Sequence, residues 1–263
     1  MSEADLVGYR REGRVVMLTL NRPEKLNAFS NAAVRALRAR LQQFDQDEDA
    51  WVAVLHGAGR AFSSGADVHD RQLRDRSELR TVSSTSARAP THDLLYHGHV
   101  NWKPIIAAPH GYAYGLGMGL ALRCELVIAD ADTQFQATEI PRGIYAGHYW
   151  SVLQFRAGSS FADEDFLTGR SFNARQAAAA GVINRAVPDG RYLQVAREYA
   201  EEIVRHPPLA VRAVVRARRW QLQQHESSHD VLSEVWKLHL TEDFQESARA
   251  FAEKRPPRPF QGR

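Results

Sequence analysis

Two glycine-containing junctions, each lying between an apolar run and the start of a helix, are the stretches of this sequence best suited to bind negative charge. The first covers residues 61–68 (AFSSGADV), and the second covers residues 111–119 within the longer stretch 103–129 (KPIIAAPHGYAYGLGMGLALRCELVIA). The first amides of a helix have no partner within it, and the helix dipole adds to their attraction for anions. The sequence therefore predicts a site for an anion or an oxyanion.

The glycine spacing argues against a nucleotide phosphate as that anion. Gly115, Gly117 and Gly119 do not form G-x-G-x-x-G, because Leu120 stands where the third glycine would be, and no G-x-x-x-x-G-K-[ST] occurs. Taken alone, each junction has a plainer explanation, since glycines let a helix pack closely on a sheet and Asp67 is a suitable helix N-cap. Two junctions together can direct two backbone N–H groups at one oxygen, as in an oxyanion hole.

Alternating strands and helices are predicted to position these junctions. Apolar runs at residues 14–20, 51–56, 105–108 and 126–129 predict strands, and a helix capped by Ser30 or Asn31 is expected between the first two. The last third is predicted to be helical at residues 192–205, 209–224, 228–241 and 242–254. This order indicates an α/β core followed by a helical region.

Several motifs, taken together, resemble the crotonase (enoyl-CoA hydratase/isomerase) superfamily. They are residues 21–28 (NRPEKLNA), 62–67 (FSSGAD), 103–119, 135–147 (FQATEIPRGIYAG), 169–187 and 251–255 (FAEKR), in family order over nearly the whole chain. The resemblance implies a repeated ββα spiral core at residues 1–195 and a helical region at residues 196–263 that forms trimer contacts and covers coenzyme A. It implies an acyl-CoA thioester as substrate, no separate cofactor, and a homotrimer or a dimer of trimers.

The resemblance also assigns the catalytic groups. It places the oxyanion hole at the backbone amides of Ala66 and Leu116, although Leu116 stands where glycine is usual. Hydratases of the family use two glutamates, of which one corresponds to Glu139, whereas Gly119 occupies the position of the other. One carboxylate beside an oxyanion hole is enough to move a proton between two carbons. We therefore expect a site like that of the family's double-bond isomerases.

His148 leaves alternatives open, because it follows Gly147 at a place expected to face the acyl group. As a second acid or base it would permit C–C hydrolysis of a β-diketone or decarboxylation of an acyl-CoA, and as a spectator it would have no chemical role. Since Gly119 removes a catalytic group, a catalytically silent acyl-CoA-binding relative is a further alternative. Turnover of a 3-enoyl-CoA would separate the isomerase from the silent relative, whereas CoA binding alone would not.

Contacts with coenzyme A are also predicted from the resemblance. They are Lys25, Leu26 and Ala28 in the first loop, Ser64, Ala66, Asp67 and Val68 in the second, and Phe251 and Lys254 in the tail. Lysines are also common on protein surfaces that bind no ligand. The assignment therefore depends on these residues occurring together.

Composition agrees with an ordinary globular protein, since 44% of the 263 residues are hydrophobic and 25% are charged. No apolar run reaches the roughly 18 residues of a membrane span, and the N-terminus lacks the features of a signal peptide, so a cytoplasmic location without membrane contact is expected. The net charge of +3 is too mild to indicate nucleic-acid binding.

Three further residue groups are predicted to have no chemical role. The arginines at 212, 216, 218 and 219 are expected to form a solvated, interface-pairing helix face. Cys124 is expected to be a buried, inert thiol. His97 and His99 lack further ligands at a suitable spacing, so no metal site is expected.

Overall fold

The computed structural model describes residues 3–73, 102–188, 190–227 and 238–263. The strands in this part of the chain are β1 (Val7–Glu12), β2 (Val15–Leu20), β3 (Val52–Gly57), β4 (Ile105–Ala108), β5 (Tyr112–Tyr114), β6 (Leu126–Asp130), β7 (Gln134–Gln136), β8 (Ser171–Asn173) and β9 (Arg185–Val187). The helices are α1 (Asn31–Gln46), α2 (Val68–Arg71), α3 (Leu116–Arg123), α4 (Gly147–Ala157), α5 (Ser159–Thr168), α6 (Ala174–Ala179), α7 (Tyr192–Val204), α8 (Pro208–Ser227) and α9 (Glu242–Ala252). This mixture of strands and helices confirms the predicted α/β class.

The larger sheet has six strands in the order β1-β2-β3-β4-β6-β9. Only β1 is antiparallel to its neighbour, and the strands from β2 to β9 run parallel. A smaller sheet has the order β5-β7-β8. The apolar runs that predicted β2, β3, β4 and β6 are continuous because parallel strands are covered on both faces.

Two hydrophobic layers cover the larger sheet. Along β2, Val16, Leu18 and Leu20 point to the layer that contains α1 and α3, whereas Val15 and Met17 point to the layer that contains α7. This alternation follows from the two-residue period of a strand. Because α7 spans residue 195, the predicted boundary there falls inside a helix, and the division into 1–195 and 196–263 stays a prediction.

The predicted helix boundaries agree closely with the structure where residues are described. Ser30 caps α1, and its side-chain oxygen accepts a hydrogen bond from the amide of Ala33 at 3.1 Å. The sequence analysis missed β1, β5, β7, β8 and α5, which are short or lack a clear apolar period. Most of the helix predicted at residues 228–241 lies outside the described residues, as do His97 and His99.

The expectation of a solvated arginine face on α8 is wrong for Arg219. Its side chain is buried, donates to both carboxylate oxygens of Glu125 at 2.8 and 2.9 Å, and also donates to the carbonyl of Lys103 at 3.0 Å. Val215, Leu222 and Glu226 share its buried face, because spacings of three and four residues fall on one side of a helix. The helical period, rather than the arginine count, decides which charges are buried.

Cys124 lies in the core, as predicted, and burial raises the pKa of its thiol to about 12. The thiol is therefore protonated at neutral pH. Within the described ranges, no helix combines the length and the apolar character needed to cross a membrane.

We expect Arg219→Ala to lower the free energy of unfolding by about 3 kcal/mol, because the buried Glu125 would lose both hydrogen bonds from Arg219 and keep only the amide of Ile105 and the longer contact with Arg218 at 3.6 Å. Urea denaturation would measure the loss. Arg216→Ala is the matched control on the exposed side of α8 and should cost less than about 1 kcal/mol. Equal losses in the two variants would show that the buried Arg219–Glu125 pair contributes no more to stability than an exposed arginine does.

Candidate active site

The two glycine junctions lie side by side in the structure. The amide of Ser63 donates to the carbonyl of Tyr112 at 2.9 Å, and the amide of Tyr114 donates back to the carbonyl of Ser63 at 3.0 Å. A side-chain carbon placed on Gly65 would lie 2.9 Å from the Tyr114 carbonyl oxygen and 3.7 Å from the Leu116 nitrogen. The sequence correctly anticipated that these loops meet.

Ala66 and Leu116 each follow a glycine with positive φ, at +95° for Gly65 and +48° for Gly115. Leu116 begins α3, so its amide has no acceptor one turn earlier within the helix. Neither amide donates a hydrogen bond to another residue of the described chain. Two backbone donors are therefore available where the two loops meet, which is the requirement for holding an oxyanion.

Glu139 lies directly beside this pair of loops. A side-chain carbon on Gly115 would be only 2.6 Å from Glu139 Oε1 and 2.7 Å from the hydroxyl of Thr138. The amide of Gly115 donates to the carbonyl of Gln136 at 2.8 Å, which fixes the distance between the loop and the segment that carries the carboxylate. Glycine is required at position 115 both by this contact and by its backbone conformation.

The environment of Glu139 suits a base that operates near neutral pH. Its Oε2 atom is buried and has no hydrogen-bond partner among the described residues. Burial raises the pKa of the Glu139 carboxyl to about 7, against the opposing effects of nearby backbone amides and of Arg142. The Arg142 guanidinium lies over the ring of Phe251 at 4.2 Å. A carboxyl that titrates near neutral pH can both accept and return a proton.

Tyr149 fills the space that a side chain at position 119 would need. A carbon placed on Gly119 would lie 2.3 Å from Cε1 and 2.4 Å from Cδ1 of the Tyr149 ring. Tyr149 is buried, and burial followed by the nearby charge of Glu139 holds the pKa of its phenol above the usual range. The sequence analysis singled out Gly119 but missed that Tyr149 occupies the space beside it. The only signal in the sequence was a bulky residue shortly after the Glu139 loop.

The first two predicted CoA-binding stretches are adjacent. The amide of Ser64 donates to the carbonyl of Leu26 at 2.9 Å, and Arg22 donates to the carbonyl of Ala28 at 3.2 Å. Lys25 is exposed at the edge of this loop. The structure thus places these residues along one surface beside Ala66.

Asp67, a predicted contact of coenzyme A, also forms hydrogen bonds within the protein. Its carboxylate accepts from Arg22 at 2.6 Å and caps α2 through the amide of Asp70. Burial would raise the pKa of Asp67, but the bond from Arg22 holds it below the usual range. Val68, the first residue of α2, is buried.

The predicted tail residues lie at and just beyond the C-terminal end of α9. Phe251 is near the end of α9 and is half exposed, and Lys254 follows the helix with a φ of +54°. Within the described chain, neither side chain forms a hydrogen bond or ring contact with the loop at residues 21–28. The contact of Phe251 with Arg142 instead connects the tail to the segment that carries Glu139.

His148 occupies the first turn of α4 and is buried, with its ring edge-on to Tyr145 at a centroid distance of 6.1 Å. Its position next to Tyr149 keeps it in the same region of the fold as Glu139. The predicted site residues of the two glycine loops and of the Glu139 loop thus lie close together, and Phe251 of the tail contacts Arg142 in the Glu139 segment.

Two available amides beside a buried carboxyl whose pKa is raised to about 7 are the groups that proton transfer next to a carbonyl would require. Comparison with known proteins identifies the family. The pattern of the enoyl-CoA hydratase/isomerase family matches residues 10–263. The 2,3-dehydroadipyl-CoA hydratase of Escherichia coli (strain K12) is 35% identical over 257 residues, which cover 96% of this chain and 97% of that protein.

Solved structures agree with this assignment. An enoyl-CoA hydratase/isomerase from Mycobacterium paratuberculosis is similar with a TM-score of 0.81 and 25% identity, over 93% of this chain and 98% of the other. A carnitinyl-CoA dehydratase from Mycobacterium avium 104 is similar with a TM-score of 0.79 and 30% identity, over 98% and 99%. The chain belongs to the enoyl-CoA hydratase/isomerase family and is an enzyme of the crotonase superfamily.

We expect Glu139→Gln to stabilise the protein at pH 8 by about 3 kcal/mol. The unfolded carboxyl ionises near 4.5 and the folded one near 7, so wild-type stability falls as the pH rises between these values and then levels off. Urea unfolding at pH 4 and pH 8 would test this, since the difference should vanish at pH 4. The exposed Glu164, changed to Gln, is the control. A Glu139→Gln protein less stable than wild type at pH 8 would contradict the proposed burial.

Proposed function

We propose that this enzyme transfers a proton within an enoyl-CoA thioester, converting a 3-enoyl into a 2-enoyl thioester, with Glu139 as its single principal acid/base. The observation that carries this proposal is the contact between Gly119 and Tyr149. Hydratases resembling this chain have a glutamate at position 119, and here the Tyr149 ring would overlap the first carbon of any such side chain. The site therefore has one carboxylate of the two that hydration uses.

The proposed reaction needs only the groups already described. The thioester oxygen accepts hydrogen bonds from the amides of Ala66 and Leu116, and the ionised Glu139 removes a proton from the α-carbon. The electrons of that C–H bond form a dienolate whose negative charge rests on the thioester oxygen. Glu139 then returns the proton to the γ-carbon, which shifts the double bond and regenerates the carboxylate.

Coenzyme A enters as part of the substrate. The adjacent stretches at residues 21–28 and 64–68 offer main-chain groups and the exposed Lys25 beside the oxyanion site. Lys254 is proposed to meet the phosphates from the tail. No separate cofactor takes part in this mechanism.

We also propose that copies associate as a trimer or a dimer of trimers. Large apolar side chains are exposed on α8, with Leu209, Val214 and Trp220 at 74%, 70% and 61% exposure. Association would remove this apolar surface from water. The apolar residues of the sequence at positions 231, 232, 235, 238 and 240 favour the same association, and the first three of them lie outside the described residues.

Hydration of a 2-enoyl-CoA is the second candidate, and similarity to the 2,3-dehydroadipyl-CoA hydratase of Escherichia coli favours it. It would require a second group to orient water, for which His148, Tyr149 and Asp165 are buried candidates in the same region as Glu139. Involvement of His148 would also admit β-diketone hydrolysis or decarboxylation. A catalytically silent CoA-binding protein is the remaining alternative.

We expect isomerisation of a 3-enoyl-CoA to exceed hydration of a 2-enoyl-CoA in the wild type. Glu139→Gln should reduce isomerisation on the order of 100-fold or more, because the amide cannot accept the α-proton. Steady-state assays of both substrates would measure this, with Glu164→Gln as the exposed control. Full activity after Glu139→Gln would remove Glu139 from the mechanism, and efficient wild-type hydration would favour the second candidate.

A paired exchange tests the contact that carries the proposal. Gly119→Glu alone should lose stability and activity, because its first side-chain carbon meets the Tyr149 ring at 2.3 Å. The double variant Gly119→Glu with Tyr149→Gly should recover folding relative to the single variant and raise the ratio of hydration to isomerisation. Thermal denaturation and the two assays are the measurements. A single Gly119→Glu variant that folds and hydrates as well as the double variant would refute the steric argument.

A further inference from the structure

Asp165 is a second buried carboxyl for which the proposed mechanism has no role. It lies near the end of α5 with 4% of its surface exposed. Both of its carboxylate oxygens are buried and have no hydrogen-bond partner among the described residues. A buried charge without a partner costs several kcal/mol, so such a group remains protonated unless its surroundings change.

A short series of contacts places the end of α5 against the Glu139 segment. The carbonyl of Asp165 accepts from the amide of Gly169 at 2.9 Å, and a side-chain carbon on Gly169 would lie 2.8 Å from Pro141. The Gly169 carbonyl accepts from the side chain of Gln136 at 2.8 Å. The Gln136 carbonyl also accepts a hydrogen bond from the amide of Gly115, the residue before Leu116. The end of α5 is therefore connected to both the oxyanion loop and the segment that carries Glu139.

Other charged groups near α5 are engaged elsewhere. On α5 itself, Asp163 accepts from the indole of Trp150 at 2.8 Å, and Glu164 is exposed and paired with Arg170. The titratable or charged groups on the packed neighbours are His148, Tyr149 and Arg156 of α4, and Glu139 and Arg142 of the segment before it. Arg156 donates to main-chain carbonyls, and Arg142 lies over Phe251.

Glu139 is the charge that acts on Asp165. Burial first, and repulsion from Glu139 second, raise the pKa of the Asp165 carboxyl to about 7. Two carboxyls that repel each other release their protons in two steps, so the second stays neutral while the first is ionised. Glu139 needs to be ionised to act as the base. The pKa values of both carboxyls are raised to about 7, so the pair passes near pH 7 through a state in which one carboxyl is ionised and the other is neutral.

We propose that Asp165 is a positioning residue for Glu139, which supports catalysis only while it is a neutral carboxylic acid. Its ionisation would place a second negative charge next to the site just where the dienolate develops negative charge. That repulsion opposes proton removal and limits the reaction at higher pH. This inference rests on the proposed role of Glu139 as the base.

The test is the pH dependence of kcat/KM for 3-enoyl-CoA isomerisation in the wild type, Asp165→Asn and Glu164→Gln. The wild type and the Glu164→Gln control should show an optimum near pH 7, with a decline on the order of tenfold by pH 9. The Asp165→Asn side chain resembles the neutral acid, so this variant should keep the rise through pH 7 and lose the decline above it. A decline that persists in Asp165→Asn would overturn the proposal.

Two further measurements separate the possible failures. Loss of the rise through pH 7 in all proteins, with full activity of Glu139→Gln, would overturn the role of Glu139 rather than that of Asp165 alone. Thermal denaturation across the same pH range does not depend on catalysis. Asp165→Asn should be more stable than the wild type above pH 7, because wild-type Asp165 then carries a buried charge. A less stable Asp165→Asn protein would show that Asp165 is paired and would refute the proposal.

Discussion

The contact between Gly115 and Glu139 is the constraint on which the rest of the site depends. It leaves no room for a side chain at position 115, and it holds a carboxylate next to the turn that exposes the Leu116 amide. The smaller sheet makes this contact possible, since β5 leads into Gly115 and the neighbouring β7 leads toward Glu139. The parallel pairing of these strands, which the sequence analysis missed, sets the distance between base and oxyanion site.

Burial of the Glu139 carboxyl lowers the stability of the folded protein, and the rest of the fold offsets this loss. Keeping Glu139 from water favours its neutral form and weakens the folded state whenever it ionises. Buried ion pairs elsewhere, such as Arg219 with Glu125 and Arg123 with Glu226, hold α8 against the core. Ion pairs thus anchor α8, whereas Glu139 Oε2 and both carboxylate oxygens of Asp165 have no hydrogen-bond partner among the described residues.

How far the sequence could predict this arrangement depends on how far apart the interacting residues lie. The strands β2, β3, β4 and β6 and the cap of α1 follow from local patterns, and the amides of Ala66 and Leu116 follow from motifs with local glycine turns. The roles of Tyr149 and Asp165 come from contacts made across the fold between side chains that no local period relates. Arg219 was misjudged for the same reason, since its partner Glu125 is 94 residues away.

The interlocking of Gly119 with Tyr149 has a consequence for how such sites diverge during evolution. Each position constrains the other, because a larger residue at 119 overlaps the ring and a smaller residue at 149 leaves a cavity. Introducing a second carboxylate at position 119 of this protein therefore needs a pair of substitutions, and the order of those substitutions matters. A smaller residue at position 149 must come before a larger one at position 119, because the fold tolerates a cavity better than an overlap of atoms.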